Sequence, residues 1–255
     1  MMKSQWLVHM PQKIITGDNM GILADSLDLY LPLYDVGMQS SPLTSKDTNG
    51  HSCPVTGTTW GAQGRAFDGN DLIDIDAALS VLADNTIGAI STWVKLTDIT
   101  PASINLLLSF GDTDVLEFIR IFVNVTGTLY ANCYKAGSKQ WELHTLAAVS
   151  SNDTWFRITL THDGTAPSLI LNGTTPLQEF SGQVDKTVWF ADCTGLDNGR
   201  VGCCNFGGLG NLGFLTGTVG EVMCHTRNVS VAEDLDNYET TLKTYYACWD
   251  YFTWA

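Results

Sequence analysis

Charge is scarce in this sequence, and positive charge is the scarcer sign. Charged residues make up 16% of the 255 residues, with 13 Lys and Arg against 27 Asp and Glu. The formal net charge of −14, with no Lys/Arg cluster, excludes a basic face for nucleic acid or for an anionic membrane surface. Cation binding is compatible with this balance, although carboxylates that simply face solvent explain it equally well.

Long apolar runs are also missing. No run approaches the roughly 18 residues that a transmembrane helix needs, so membrane insertion is not expected. The first residues, MMKSQWLVHMPQK, lack the continuous apolar core and the small-residue cleavage site of a signal peptide. We therefore expect synthesis in the cytoplasm without a secretory signal.

The seven cysteines fit neither a disulfide framework nor a zinc site. Their number is odd, their spacing is irregular, and C-x-x-C does not occur. We expect buried free thiols, with one disulfide left open as an alternative. Four N-x-S/T sequons, at Asn124, Asn152, Asn172 and Asn228, are attributed to chance in a Thr-rich chain.

What the sequence does have is β-strand alternation. In the stretch 154–173 (TWFRITLTHDGTAPSLILNG), Phe156, Ile158 and Leu160 alternate with polar residues, which is the period of a half-buried strand. Asp163-Gly164 and Asn172-Gly173 are strong turn signals at the two ends of a return strand. This stretch is predicted to form a hairpin.

About a dozen strands with short turns follow from the same criteria. A capping box, Ser230 with Glu233, predicts one short helix near the C-terminus, because each residue can satisfy the other's backbone amide. The pattern predicts an all-β sandwich. The predicted strands cover 27–33, 64–75, 86–96, 104–110, 116–125, 128–135, 141–147, 154–161, 168–171, 187–190, 200–206 and 214–227, and 40–59 and 174–183 are predicted as loops.

Several segments in order resemble the concanavalin A-like, laminin-G-like jelly-roll family. These are LDLYLPLYD, GRAFDGNDLIDI, TIGAISTWVKL, the hairpin above and TGTVGEVMCHTRNVSVAED. The resemblance implies a jelly-roll sandwich of two antiparallel sheets over residues 27–246. It leaves residues 1–26 as an N-terminal arm and 247–255 as an aromatic tail, a layout similar to single-domain versions in bacteriophage structural proteins.

The resemblance implies function only in outline, since the family includes lectins, adhesion domains, glycosidases and phage accessory domains. We expect a non-enzymatic module displayed on a virion or another assembled particle, such as a phage decoration or tail-accessory protein. Its partners would be other virion or surface proteins and further copies of itself. The alternative is a free-standing, extracellular lectin with a glycan ligand, assisted by Ca²⁺ or not; no cofactor is required.

Two sets of candidate residues follow. The first set consists of turn residues whose side-chain oxygens could bind a ligand or Ca²⁺: Asp112, Asp114, Asp192, Asp197 and Asn198. Ca²⁺ is the one possible cofactor. Aromatic residues expected to make assembly contacts are Trp6, Trp249, Tyr251, Phe252 and Trp254.

A catalytic alternative involves the first of these stretches. Asp112-Thr-Asp114-Val-Leu-Glu117 resembles the acidic E-x-D-x-x-E strand of laminarinase-type glycosidases, which use two carboxylates about 5–5.5 Å apart. The first acid here is Asp rather than Glu, and it follows Phe110-Gly111, which favours a turn. We therefore expect no catalytic residue here.

Overall fold

The computed structural model describes residues 26–237. Within this range the chain forms nineteen β-strands, two short α-helices and three 3-10 segments. The strands are β1 (Leu27–Pro32), β2 (Leu43–Thr44), β3 (Ser52–Cys53), β4 (Val55–Thr56), β5 (Thr59–Gly61), β6 (Gly64–Asp68), β7 (Leu72–Asp74), β8 (Gly88–Leu96), β9 (Asn105–Gly111), β10 (Phe118–Val123), β11 (Thr128–Lys135), β12 (Ser138–Ala148), β13 (Trp155–His162), β14 (Pro167–Leu171), β15 (Gln178–Gln183), β16 (Asn198–Val201), β17 (Cys204–Asn205), β18 (Asn211–Leu212) and β19 (Thr216–His225). The helices are α1 (Leu79–Leu82) and α2 (Val231–Asn237), and the 3-10 segments are Val36–Met38, Asp76–Ala78 and Phe190–Asp192.

Most strands belong to two antiparallel sheets. A seven-stranded sheet has the order β14-β13-β8-β19-β6-β5, with β1 also paired to β19. An eight-stranded sheet has the order β15-β12-β11-β10-β9-β16-β7-β4. This is the predicted jelly-roll sandwich with a short helix near the C-terminal end of the described chain. No helix within residues 26–237 is long and apolar enough to cross a membrane.

One large hydrophobic core lies between the two sheets. From the seven-stranded sheet, Phe156, Ile158 and Leu160 point inward and are fully buried. From the eight-stranded sheet, Ile119 and Ile121 are buried in the same cluster. The alternation read from the sequence therefore identifies the core-facing side of β13 correctly.

The predicted hairpin forms as expected. β13 and β14 pair in register from Ile158↔Leu171 to His162↔Pro167. Asn172 and Gly173 have φ angles of 49° and 74°, the left-handed values that a type I′ turn requires. The capping box is also confirmed, because Ser230 N donates to Glu233 Oε2 at 2.8 Å and Glu233 N donates to Ser230 Oγ at 3.3 Å.

Three segments differ from the sequence prediction. Residues 178–183 were predicted as a loop but form β15, an edge strand whose polar residues are held by pairing with β12 rather than by an apolar face. Residues 187–190 were predicted as a strand, but Phe190–Asp192 is a 3-10 segment that buries Phe190. The predicted loop 40–59 contains the short strands β2, β3 and β4.

The six cysteines within residues 26–237 are free and buried, as predicted: Cys53, Cys133, Cys193, Cys203, Cys204 and Cys224. Burial raises the pKa of the Cys53 and Cys203 thiols to about 12. Thiols in this state are poor nucleophiles, because the reactive form is the thiolate.

Candidate functional site

The outer face of the eight-stranded sheet carries a hydrogen-bonded row of polar side chains across β10, β11 and β12. Arg120 Nε donates to Asn132 Oδ1 at 3.0 Å, and Asn132 Nδ2 donates to Glu142 Oε2 at 3.0 Å. These three residues are direct neighbours in the sheet, Arg120↔Asn132 and Asn132↔Glu142. Each strand supplies one member, because alternate residues point away from the core.

Aromatic rings surround the guanidinium of Arg120. Its Cζ atom lies 4.5 Å from the ring centroid of Phe118, 5.0 Å from that of Phe122 and 5.5 Å from that of Phe206. Cation–π contacts of this kind favour a guanidinium over an ammonium group, because the planar group stacks on the rings. Arg120 makes no ion pair of 4.0 Å or less with a carboxylate of residues 26–237. Its partial exposure leaves it accessible from solvent.

Further aromatic rings extend this face toward β12. Tyr130 stacks on His144, with ring centroids 4.8 Å apart and an interplanar angle of 10°, and on Phe122 at 5.3 Å. Tyr134 stacks on Phe118 at 4.7 Å. Tyr130, Tyr134 and His144 are half-buried, so each presents part of its surface to solvent. Tyr130 is stacked between protein rings on its two neighbouring strands, so the rings form one continuous stack. We name Arg120, Tyr130, Asn132, Tyr134, Glu142 and His144 the Arg120 cluster.

Glu142 is held as an ionised hydrogen-bond acceptor. Burial pushes the pKa of its carboxyl upward, but hydrogen bonds from Asn132, Ser181 and Lys139 outweigh burial, and the pKa lies below its usual value. Ser181 Oγ donates to Oε1 at 2.8 Å, and Lys139 Nζ lies 3.1 Å from the same oxygen. A carboxylate fixed in this way needs no rearrangement to accept a ligand hydroxyl.

Of the predicted turn residues, Asp112, Asp197 and Asn198 come together at one end of the sandwich. Asp197 accepts hydrogen bonds from Thr113, at 2.8 Å from N and 2.5 Å from Oγ1, and Asn198 Nδ2 donates to Gly111 O at 2.9 Å. Asp112 Oδ1 accepts from the backbone amides of Asp114 and Val115, at 2.8 and 3.1 Å. These oxygens tie two loops together.

The carboxylates of the other two predicted residues, Asp114 and Asp192, take no part in these hydrogen bonds between the loops. Asp114 is exposed. Asp192 accepts from Trp189 N at 3.2 Å and pairs with Lys135 at 3.6 Å. No group of three or more His, Cys, Asp or Glu residues suited to a metal ion occurs within residues 26–237. Ca²⁺ binding therefore stays a prediction.

The acidic stretch 112–117 is a turn, not a mid-strand catalytic pair. Glu117 is 6% exposed, and its two carboxylate oxygens accept from Ala136 N and Gly195 N, each at 2.9 Å. Asp112 precedes β10 and caps its own turn through Oδ1. Both carboxylates serve loop geometry, as the departure from the glycosidase pattern predicted.

Sequence reasoning missed the Arg120 cluster altogether. The signal was present in the outward positions of three consecutive strands: Phe118, Arg120 and Phe122 in β10, Tyr130, Asn132 and Tyr134 in β11, Glu142 and His144 in β12. Polar and aromatic side chains at alternate positions indicate a face meant for solvent or ligand. The predicted assembly residues, Trp6, Trp249, Tyr251, Phe252 and Trp254, lie outside the described residues.

No protein-family model matches this chain, and no curated protein sequence matches it. Solved structures do resemble it. One is the CBM40 domain of the Ruminococcus gnavus IT-sialidase bound to α2,3 sialyllactose, with a TM-score of 0.57 and 16% identity, covering 67% of this chain and 93% of that chain. Another is a leech intramolecular trans-sialidase, with a TM-score of 0.53 and 18% identity, covering 69% of this chain and 27% of that chain.

A third similar structure is the F1240A mutant of HCR/D, with a TM-score of 0.58 and 14% identity. That alignment covers 85% of this chain and 52% of the other. Because all three identities are low, these likenesses establish a shared fold, the jelly-roll β-sandwich, and no more.

Proposed function

We propose that this chain is a non-enzymatic carbohydrate-binding module whose ligand is a glycan with an acidic sugar. The observation that carries the proposal is the Arg120 cluster, in which the half-buried Arg120 and Glu142 are oriented by the buried Asn132 and flanked by aromatic rings. Sugar sites need this combination, because rings stack on the apolar face of a pyranose while fixed polar groups select its hydroxyls.

The acidic character of the ligand is argued from Arg120 and Glu142. Within the described chain the Arg120 guanidinium has no carboxylate partner; its hydrogen-bond partners are Asn132 and the Cys204 thiol, so a ligand carboxylate would be its first anionic partner there. Glu142 stands on the other side of Asn132 as a fixed acceptor for hydroxyls. The similar CBM40 domain bound to α2,3 sialyllactose supports an acidic glycan as the first ligand to test.

The decisive experiment is isothermal titration of the full chain with α2,3-sialyllactose and with lactose, with and without EDTA. We expect sialyllactose to bind at least about tenfold more tightly than lactose, which is a difference of about 1.4 kcal/mol. Loss of binding in EDTA would support the Ca²⁺-assisted alternative, and unchanged binding would contradict it.

Matched variants locate the site. Arg120→Ala should abolish sialyllactose binding, and Arg120→Lys should weaken it because an ammonium group lacks the planar fork. Lys46→Ala is the control, since Lys46 is exposed and its backbone lies beside β1 of the other sheet. Binding that survives Arg120→Ala, or the absence of binding to any ligand on a glycan array, would contradict the proposal.

Display on a phage virion, as a decoration or tail-accessory protein, is a narrower hypothesis that rests on the sequence resemblance alone. A glycan-binding face is compatible with it, since a displayed module can use that face to reach a host surface. Co-purification of the chain with particles would test it, and a freely diffusing extracellular protein would contradict it.

A further inference from the structure

A second cluster of charged side chains lies on the outer face of the seven-stranded sheet, between that sheet and helix α2. Arg157 on β13 contacts Glu221 Oε1 on β19 through Nη1 at 3.3 Å and Asp234 Oδ1 on α2 through Nε at 3.0 Å. All three side chains are 0% exposed. Thr159 Oγ1 donates to the same Asp234 oxygen at 2.5 Å. The cluster therefore joins the helix to the middle of the sheet.

The charges of this cluster do not balance. Among the described residues one guanidinium faces two carboxylates, which would leave a buried negative charge without a counter-charge there. His225, on the same strand as Glu221, is 1% exposed, and burial lowers its pKa to about 3, so this side chain is neutral and supplies no positive charge. Arg227 pairs with Glu233 at 2.9 Å at the start of α2. A proton on one carboxylate balances the cluster.

Hydrogen bonding assigns that proton to one residue. Asp234 Oδ1 accepts from both Arg157 and Thr159, whereas Glu221 receives Arg157 at the longer distance and a hydrogen bond from Tyr30. The second oxygen of each carboxylate, Glu221 Oε2 and Asp234 Oδ2, is buried without a hydrogen-bond partner in the described chain. The first oxygens therefore decide the assignment: the shorter contacts of Asp234 Oδ1 stabilise its ionised form more strongly, which leaves the proton to Glu221.

We propose that this cluster is a proton-linked latch: at mildly acidic pH the folded chain carries a proton on Glu221, and loss of this proton at higher pH weakens the attachment of helix α2 to the sheet. The latch lies on the sheet opposite the Arg120 cluster and does not depend on the proposed function. Burial supports it, because burial raises the pKa of the Glu221 carboxyl to about 7 against the opposing effects of Arg157 and Tyr30.

The sign of the pH effect follows from linkage. The folded pKa of about 7 lies above the ordinary value of 4.5, so the folded state binds the proton more tightly than the unfolded state. The stabilisation is therefore complete below about pH 4.5 and is lost as the pH rises through about 7. His225 titrates with the opposite sign at lower pH, so the difference between wild type and a Glu221 variant is the quantity to follow.

The test compares thermal melting of wild type, Glu221→Gln and the exposed control Asp84→Asn at pH 5, 6, 7 and 8. The Tm of wild type relative to Glu221→Gln should fall by several degrees from pH 5 to pH 8, while Asp84→Asn follows wild type. A Glu221→Gln variant with the wild-type pH slope would overturn the proposal.

Two further measurements keep the proposal testable if Glu221→Gln does not fold. Carboxyl ¹³C NMR of glutamate-labelled wild type should show one Glu titrating near pH 7, and titration of every Glu below about pH 5.5 would overturn the proposal. Hydrogen exchange of the α2 amides, corrected for the intrinsic rate, should lose about tenfold or more of its protection between pH 6 and pH 8. Unchanged protection would show that the proton is not linked to helix docking.

Discussion

Arg120 and Asn132 sit directly opposite each other on β10 and β11, and the Nε atom of the arginine donates a 3.0 Å hydrogen bond to the amide oxygen of the asparagine. The nitrogen of the same amide group, Nδ2, donates to Glu142. One buried asparagine therefore orients the cation on one side and the carboxylate on the other. The Arg120 cluster is preorganised because its central residue is fixed from both ends.

Replacing that central residue should weaken glycan binding. Asn132→Ala removes the two hydrogen bonds that orient Arg120 and Glu142, so sialyllactose affinity should fall about 10- to 100-fold because both groups lose their fixed positions. Asn211→Ala, an exposed asparagine in β18, is the matched control and should bind like wild type. Isothermal titration measures the change, and equal affinities in the two variants would contradict a role for Asn132 in orienting the site.

Gly64 should tolerate no side chain. Its φ angle is +138°, and a Cβ atom would lie 2.1 Å from Val219 O and 2.8 Å from Gly220 Cα, both backbone atoms of β19. Gly64→Ala should therefore lower the free energy of unfolding by about 3 kcal/mol or more.

Gly137 offers the comparison for this substitution. It also has a positive φ, +81°, but nothing lies within 4 Å of its Cβ position. Gly137→Ala should lose only the cost of the left-handed backbone, about 1 kcal/mol. Urea unfolding measures both values, and similar losses in the two variants would contradict the steric argument.

His225 should make the fold sensitive to acid. Burial lowers the pKa of this imidazole to about 3, below the ordinary value of 6.5. The folded state therefore binds this proton less tightly than the unfolded state, and its stabilisation is present above about pH 6.5 and lost as the pH falls toward 3. His225→Asn should show a shallower loss of stability between pH 6 and pH 4 in urea melts. An unchanged slope would show that other groups dominate acid unfolding.

The buried thiols should be unreactive in the native protein. Because burial raises the pKa of Cys53 and Cys203 to about 12, iodoacetamide at pH 8 should leave the peptides that contain them unlabelled. Both should be labelled fully in concentrated urea. Mass spectrometry of the digested protein measures the labelling, and rapid modification under native conditions would show that the core around these residues opens readily.

Much of the fold could be predicted from local patterns. Alternation identified β13 and its core-facing residues, Asn172-Gly173 marked a turn, and Ser230 with Glu233 marked the start of α2. These features depend on residues a few positions apart, which is the range over which sequence patterns act. β15 was missed because its polar residues carry no apolar signal, and only pairing with β12 makes it a strand.

The candidate sites show the reverse. Asp112, Asp197 and Asn198 were read as turn residues, and the structure places them together in two tied loops. No sequence pattern distinguishes Arg120, Asn132 and Glu142, because each is a single polar residue within its own strand. They become a site only when antiparallel register sets them side by side.

The sequence by itself determined the class of this protein: alternating apolar residues and Gly-rich turns can bury their side chains only as stacked antiparallel sheets. Tertiary structure alone decided which polar residues meet. Arg120, Asn132 and Glu142, which are 12 and 10 residues apart along the chain, form one row across three adjacent strands. Arg157 and Glu221 are more than 60 residues apart and meet in one buried cluster. Strand register is a long-range property of the folded chain, because it is set by sheet pairing and core packing together.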